Sequence, residues 1–184
     1  AQQQDSYFVI AHFHYVLIGG ALFSLLGGIA FWFPKVTGRM LNERYGKILF
    51  WIMFTGFNLF AFPLHFLGLS GMPRRTHTYK SEMGWDLWNY WSTIGALILG
   101  VSILLFVIHV IRSATRGAPA KADPWDARTL EWGLPSPTPV YNFAKTPIVH
   151  ARDQFWANKY GSDAEKAGVA NEGPGGIHMP DRSW

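Results

Sequence analysis

Three long stretches of this 184-residue chain contain no aspartate, glutamate, lysine or arginine. They cover residues 8–33, 48–69 and 87–111. About 20 consecutive apolar residues are enough for an α-helix to cross the hydrocarbon core of a bilayer. Because backbone polar groups must be satisfied internally in that environment, we predict an all-α membrane fold with three transmembrane helices. We expect Pro34 and Gly38 to close the first helix, and Pro63 to kink or end the second helix locally.

The two ends of the chain differ in composition. Residues 112–184 carry eight of the eleven prolines. We therefore divide the chain into a transmembrane part, 1–117, and a Pro/Gly-rich tail, 118–184, which we expect to be irregular apart from a short helix near 151–160. The first residues lack an initiator methionine and a charged segment before the apolar run, so we expect a piece of a longer protein or a processed or split product rather than a secretory signal.

Basic residues predict the orientation of the helices. The loop 34–47 carries two lysines and two arginines against Glu43 alone, and the segment after the third stretch adds Arg112, Arg116 and Lys121. The positive-inside rule makes this end cytoplasmic, together with the C-terminal tail. The N-terminus and the loop 68–86 are then extracytoplasmic. The formal net charge of +4 is modest, and no nucleic-acid partner is expected.

Two histidines, His12 and His14, lie inside the first apolar stretch. Positions i and i+2 of an α-helix are about 200° apart, so the two imidazoles project from nearly opposite faces and serve two metal centres more readily than one. Ionisable groups inside a membrane are functional candidates, and neutral imidazole is a common axial ligand of haem iron. The alternative is that both side chains form only hydrogen bonds within a helix bundle.

Three charged residues near the predicted extracytoplasmic end are further candidates. Arg74 and Arg75 either form a solvated basic turn or provide counter-charges for carboxylates such as those of haem propionates. Asp5 either caps the first helix or ligates a hard cation. His65 and His109 receive no catalytic role, and we expect His109 to lie at the cytoplasmic interface. The chain has no cysteine, which excludes disulfides and thiolate metal sites.

Three segments carry a resemblance to a known family. The segment DSYFVIAHFHYV at 5–16 resembles the tenth transmembrane helix of haem-copper oxidase subunit I. The segment HFLGLSGMPRR at 65–75 resembles the turn between the eleventh and twelfth helices of that subunit. The segment WDARTLEW at 125–132 resembles the tail of its bacterial, cytochrome c-oxidising members. The chain thus resembles helices ten to twelve and the cytoplasmic tail of this family, three helices of a larger bundle.

The resemblance implies roles that geometry leaves open. His12 would be the ligand of the high-spin haem iron and His14 a ligand of the low-spin haem iron, with Phe13 between the two haems. Arg74 and Arg75 would bind the haem propionates. Two haems, expected to be a-type, are therefore the implied cofactors, and the chain would hold no catalytic residue beyond the haem ligands.

The resemblance also implies a magnesium ion and several partners. Asp5 would ligate magnesium, although Gln4 occupies a position at which the family often has histidine. The copper ligands and the second ligand of the low-spin haem lie on earlier helices of the family. The implied partners are the remainder of subunit I, subunits II and III, cytochrome c and the lipid of a bacterial plasma membrane.

The implied function is that of a piece of the catalytic subunit of a terminal respiratory oxidase. Such an enzyme, a cytochrome c oxidase when complete, passes electrons from cytochrome c to oxygen and pumps protons. A quinol-oxidising member of the same family is one alternative. A non-catalytic split or remnant membrane subunit is another.

Overall fold

The computed structural model describes residues 3–161, which are helical and form no strand beyond isolated bridges. Three helices in this range are long and apolar enough to cross a membrane: Tyr7–Thr37, Glu43–Leu69 and Asp86–Arg116. The all-α membrane class predicted from the sequence is confirmed. Each helix extends a few residues beyond the uncharged stretch that predicted it at one end or both.

The first span contains three segments: α1 (Tyr7–His14), a π-helix (Tyr15–Leu22) and α2 (Phe23–Thr37). Ser6 caps α1, because its hydroxyl accepts a hydrogen bond from the backbone N–H of Phe8 at 3.2 Å.

The first span ends at Gly38, as the sequence predicts. Gly38 has a φ of 70°, a left-handed conformation that glycine adopts without steric cost. The expectation that Pro34 would also help to close the helix is wrong, because Pro34 lies inside α2 and the helix continues to Thr37. A proline removes one donor but holds φ near the helical value, so the last turn persists.

The second span is interrupted where the sequence predicts a break. It contains α3 (Glu43–Ala61) and α4 (Pro63–Leu69), separated by Phe62. Pro63 takes the first position of α4, where the missing N–H is not needed for an intrahelical bond. Phe62 keeps helical backbone angles, φ −66° and ψ −43°, so the break is local.

The third span, α5 (Asp86–Arg116), packs along α3 through small residues. A Cβ atom at Gly95 would overlap the backbone of Phe60, and one at Gly56 would lie 2.8 Å from the backbone nitrogen of Leu99. The hydroxyl of Ser92 donates to the carbonyl of Phe60 at 2.9 Å. Small residues allow the backbones of membrane helices to approach closely, which explains this packing.

Two groups of buried side chains form the core of the helical part. One group joins α1, α4 and the turn that follows α4: Ala11, Leu64, Leu67, Met72 and Trp85. The other joins α3 and α5: Met53, Phe57, Ala61 and Leu99. The first group lies next to the N-terminal end of α1 and therefore positions the candidate site.

The chain forms two compact units, divided between Pro119 and Ala120. In the second unit, the described residues include a 3₁₀ turn (Leu130–Gly133) and α6 (Gln154–Tyr160), which confirms the short helix predicted near 151–160. Trp132 is completely buried there. The predicted irregular Gly-Pro-Gly-Gly segment, 173–176, lies outside the described residues.

Candidate functional site

The candidate site lies where the start of α1 meets the turn after α4. The backbone N–H of Tyr7 donates to the carbonyl of Met72 at 3.0 Å, and the N–H of Arg74 donates to the carbonyl of Asp5 at 2.8 Å. Ser6 and Pro73 form an antiparallel bridge between these two bonds. The structure thus brings together two segments that are far apart in the sequence.

One face of α1 is packed closely against α4. Ala11 is fully buried, and a Cβ atom at Gly68 would overlap the backbone of Phe8. The rings of Phe8 and His65 meet edge to face, with their centroids 5.0 Å apart. This contact leaves His65 in an aromatic environment and fixes the rotation of α1 about its axis.

His12 and His14 both lie within the α-helical part of the first span, so their side chains leave α1 about 200° apart. His12 is exposed and has no hydrogen-bond or ion-pair partner among the residues that the structure describes. His14 is partly buried, and its ring lies edge-on to that of Phe60 with the centroids 5.0 Å apart. The two imidazoles therefore face different surroundings.

The hydrogen bond of His14 determines which ring nitrogen is available. Its Nδ1 lies 2.7 Å from the carbonyl oxygen of Ile10. Because a carbonyl oxygen can only accept, Nδ1 carries the proton and Nε2 of the neutral ring keeps its lone pair. Metal-binding histidines commonly have their second ring nitrogen held by such a bond. Both ring nitrogens of His12 are available. Each of the two histidines therefore has a nitrogen that can bind a metal centre of its own.

Phe13 lies against His14. The two rings are stacked with their centroids 4.4 Å apart and an interplanar angle of 27°. One face of the His14 imidazole is therefore covered by an apolar ring.

Asp5 and Arg74 form an ion pair, with Oδ1 of Asp5 2.7 Å from Nη2 of Arg74. The proposed capping role of Asp5 is wrong, because Ser6 occupies the cap position and Asp5 has a left-handed φ of 58° that places it outside the helix. Arg75 is exposed, has a φ of 67°, and forms no ion pair with a described residue.

The candidate residues do not converge on one metal ion. Within the described residues, no group of three or more histidine, cysteine, aspartate or glutamate side chains is arranged to hold a metal. His12, His14 and Asp5 are instead separate ligand candidates. This arrangement suits centres that obtain most of their ligands from a macrocycle or from other helices.

Two features near the site are absent from the sequence predictions. One is the π-helix that begins directly after His14; its Gly19–Gly20 pair gives no distinctive signal for it. The other is a hydrogen bond between helices, in which the Tyr15 hydroxyl donates to Oδ1 of Asn58 at 2.9 Å. A tyrosine and an asparagine inside apolar stretches could have suggested such a bond, because each needs a polar partner there.

The fold and the site define a multi-span helical membrane protein with two histidines on different faces of one span. Residues 1–98 match the family described as "Cytochrome C and Quinol oxidase polypeptide I". The chain belongs to this family. The resemblance to haem-copper oxidase subunit I is thereby confirmed.

The curated relatives that match the chain include cytochrome c oxidase subunits and quinol oxidase subunits. It is 49% identical over its whole length to cytochrome c oxidase subunit 1 of Bacillus sp. (strain PS3), and it covers 30% of that protein. It is 43% identical, over 99% of its length, to quinol oxidase subunit 1 of Bacillus subtilis (strain 168), and it covers 28% of that protein. The chain thus spans less than a third of the length of these relatives.

Proposed function

We propose that this chain is part of the catalytic subunit of a terminal respiratory oxidase that passes electrons from cytochrome c to oxygen and pumps protons. The observation that carries the proposal is the placement of His12 and His14 on opposite faces of α1, each with an available ring nitrogen. The family match supports the reaction class.

His12 would hold the iron of the high-spin haem and His14 that of the low-spin haem. The α-helix keeps their Cα atoms only about 3 Å apart along its axis, so a short covalent path through Phe13 joins the two sites. Phe13 shields one face of the His14 ring, and the bond to Ile10 orients that ring. When bound, the two haems, with copper held elsewhere in the subunit, would supply electron transfer and oxygen reduction.

Arg74 and Arg75 would bind the haem propionates. The bond from Arg74 to Asp5 uses one of the five donors of the guanidinium, so others remain for a second carboxylate. Arg75 has no anionic partner among the described residues and would supply a further charge. Both arginines stand near the N-terminal end of the helix that carries the two histidines.

Asp5 would ligate magnesium through the carboxylate oxygen that does not contact Arg74. We expect Asp5→Asn to lower the magnesium content of the purified complex by about one ion, because the amide is a weaker and uncharged ligand. Metal analysis of the complex measures this loss. Glu82→Gln removes an exposed carboxylate elsewhere and serves as the control. The same magnesium content in the unaltered complex, the Asp5→Asn variant and the Glu82→Gln control would contradict this role.

The proposed setting is a bacterial plasma membrane, with the N-terminus outside and the tail in the cytoplasm. The remainder of subunit I, subunits II and III and cytochrome c are the proposed partners. The pyridine haemochrome spectrum of the complex tests whether the haems are a-type. Turnover assays with reduced cytochrome c and with a quinol distinguish the two donors, and exclusive quinol oxidation would contradict the donor proposed here.

The test of haem ligation is a reduced-minus-oxidised difference spectrum of the complete complex. We expect His12→Ala to remove the high-spin haem signal and His14→Ala to remove the low-spin signal, because each imidazole is a direct ligand. His77→Ala, which changes an exposed histidine, should retain both signals. Survival of both haem signals in the two ligand variants, or their absence from the unaltered complex, would instead support a non-catalytic subunit.

A further inference from the structure

A cleft of about 570 Å³ lies at the end of the helices opposite the candidate site. It is bounded by the start of α3 and by the last turns of α5. The short connection between the first and second spans closes one side. No residue of the haem-ligand proposal takes part in it.

The walls of the cleft are fixed to each other by two hydrogen bonds to backbone carbonyls. The N–H of Met40 donates to the carbonyl of Ala118 at 2.8 Å, and the Arg39 guanidinium donates to the carbonyl of Gly117 at 2.8 Å. A Cβ atom at Gly117 would overlap the carbonyl oxygen of Ser113 and lie 2.7 Å from that of Met40. The cleft is therefore a formed feature of the fold, as ligand sites usually are.

The α5 wall changes its chemistry along the helix. Leu105 and Ile108 line it farther from the C-terminal end of α5, whereas Arg112, Ser113 and Arg116 line it in the last turns of that helix. These positions are three or four residues apart and so share one helix face. The cleft thus presents an apolar surface that leads to two exposed guanidinium groups near the end of a membrane span.

The polar part of the cleft consists of Arg112, Ser113 and Arg116, with His109 buried beside them. Neither Arg112 nor Arg116 forms an ion pair with a described residue. His109 is 8% exposed, and its buried Nε2 has no hydrogen-bond partner. Because Nε2 is enclosed by the protein, an occupant of the cleft would contact the guanidinium groups rather than this nitrogen.

We propose that this cleft binds an anionic phospholipid, with the phosphate between Arg112 and Arg116 and the acyl chains along Leu105 and Ile108. Guanidinium groups suit phosphate oxygens, and basic pockets between transmembrane helices commonly take acidic lipid headgroups. An anionic amphiphile matches both the apolar and the basic parts of the cleft.

The experiment measures lipid retained by the complete complex that contains this chain. The complex is purified, depleted of lipid, and titrated with phosphatidylglycerol or phosphatidylcholine in detergent micelles, and bound lipid is counted by native mass spectrometry. The cleft variant is Arg112→Gln with Arg116→Gln. Its matched control is Arg44→Gln with Lys47→Gln, which removes the same charge from exposed positions outside the cleft.

We expect the unaltered complex to bind phosphatidylglycerol in preference to phosphatidylcholine. The cleft variant should lose on the order of tenfold in phosphatidylglycerol affinity, and the control should change little. Visible spectra of all variants show whether the complex is assembled, and they do not depend on this cleft.

Three results would overturn the proposal. An equal loss in the control would show that general surface charge attracts the lipid. No loss in an assembled cleft variant would show that another part of the complex fills the cleft. Displacement of phosphatidylglycerol by inorganic phosphate at equal concentration would show that the site binds a free anion rather than a lipid.

Discussion

At the scale of single residues, the contact between Arg74 and Asp5 has to be weighed by its exposure. The two atoms are only 2.7 Å apart, but the side chains are 38% and 63% exposed. Ion pairs in such positions contribute about 0–1 kcal/mol to folding stability. Stability alone therefore gives little reason for an arginine at this position, and its charge matters more for what lies near it.

We expect Arg74→Gln to cost less than about 1 kcal/mol of stability and yet to lower the midpoint potential of a bound haem. Removing a positive charge beside the propionates favours the oxidised iron, which carries one more positive charge. Potentiometric titration and thermal denaturation of the complex measure the two effects separately. Lys80→Gln removes an exposed charge from the same loop and is the control. A large loss of stability with an unchanged potential would contradict the propionate role.

At the scale of helices, α3 and α5 approach so closely that small residues of α5 contact the backbone of α3. Gly95 lies against the backbone of Phe60, and Ser92 donates to the same residue. Lipid gives helices little hydrophobic reason to associate, so close packing and hydrogen bonds must hold the pair together. The contact between these two helices is thus sensitive to single atoms.

We expect Gly95→Ala to lower the stability of the complex by about 1–3 kcal/mol, because the new methyl group forces the helices apart. Gly100→Ala lies on the same helix, meets no atom within 4 Å, and should be neutral or slightly stabilising. Thermal denaturation of detergent-solubilised complexes compares the two. Equal midpoints for Gly95→Ala and the unaltered protein would show that α3 and α5 are less tightly packed than the structure indicates.

How well the sequence predicts these elements depends on whether the interactions that form them are local or join distant residues. Apolar length alone predicts the spans, and Pro63 and Gly38 act locally, so their effects are correctly predicted. The pairing of Asp5 with Arg74 depends on a turn 69 residues away, and nothing in either segment indicates it. The haem-ligand roles of the two histidines stay predictions, since geometry shows only which nitrogens are available.

At the scale of the whole molecule, Lys159 is the centre of a charged cluster in the second unit. Nζ of Lys159 lies 2.6 Å from Oδ2 of Asp123, 2.8 Å from Oδ1 of Asp126 and 2.7 Å from the carbonyl of Ala127. The same ammonium lies 4.5 Å from the centroid of the Phe155 ring. Because few described residues of this unit are helical, these contacts fix α6 against an otherwise irregular segment.

The charges of this cluster shift one another's pKa values. Burial alone would raise the pKa of Asp123, but the N–H of Ala127 and the ammonium of Lys159 outweigh it and hold that pKa below its usual value. Hydrogen bonds from Lys159 and Tyr160 lower the pKa of Asp126. Desolvation opposes the ionised form of Lys159, but the two carboxylates prevail and raise its pKa.

These directions predict how the second unit responds to pH. The carboxylates contribute fully above their unfolded pKa of about 3.9, and this contribution is lost as the pH falls through their lower folded values. Lys159 contributes fully below its unfolded pKa of about 10.4, and this is lost as the pH rises through its higher folded value. Hydrogen exchange of α6 amides, corrected for intrinsic rates, should show constant protection between roughly pH 5 and pH 9. A steady decline within that window would contradict this.

We expect Lys159→Met to reduce the protection of α6 amides at neutral pH, because the variant leaves two carboxylates facing each other without a cation. Lys145→Met, at an exposed position with no hydrogen bond or ion pair to a described residue, is the control and should leave the protection unchanged. Hydrogen exchange followed by mass spectrometry of the complex compares them. The same protection in both variants would show that burial of Trp132, rather than charge, holds the unit.

The bridge between Ser6 and Pro73 has a consequence for how this protein can change over evolutionary time. The bonds on either side of it join backbone atoms only, from Tyr7 to Met72 and from Arg74 to Asp5. Because these bonds use main-chain atoms, they do not themselves depend on the charge of the side chains beside them. Substitutions next to the bridge can therefore alter the charge and the ligand chemistry of the candidate site, while the helix that carries the histidines keeps its position.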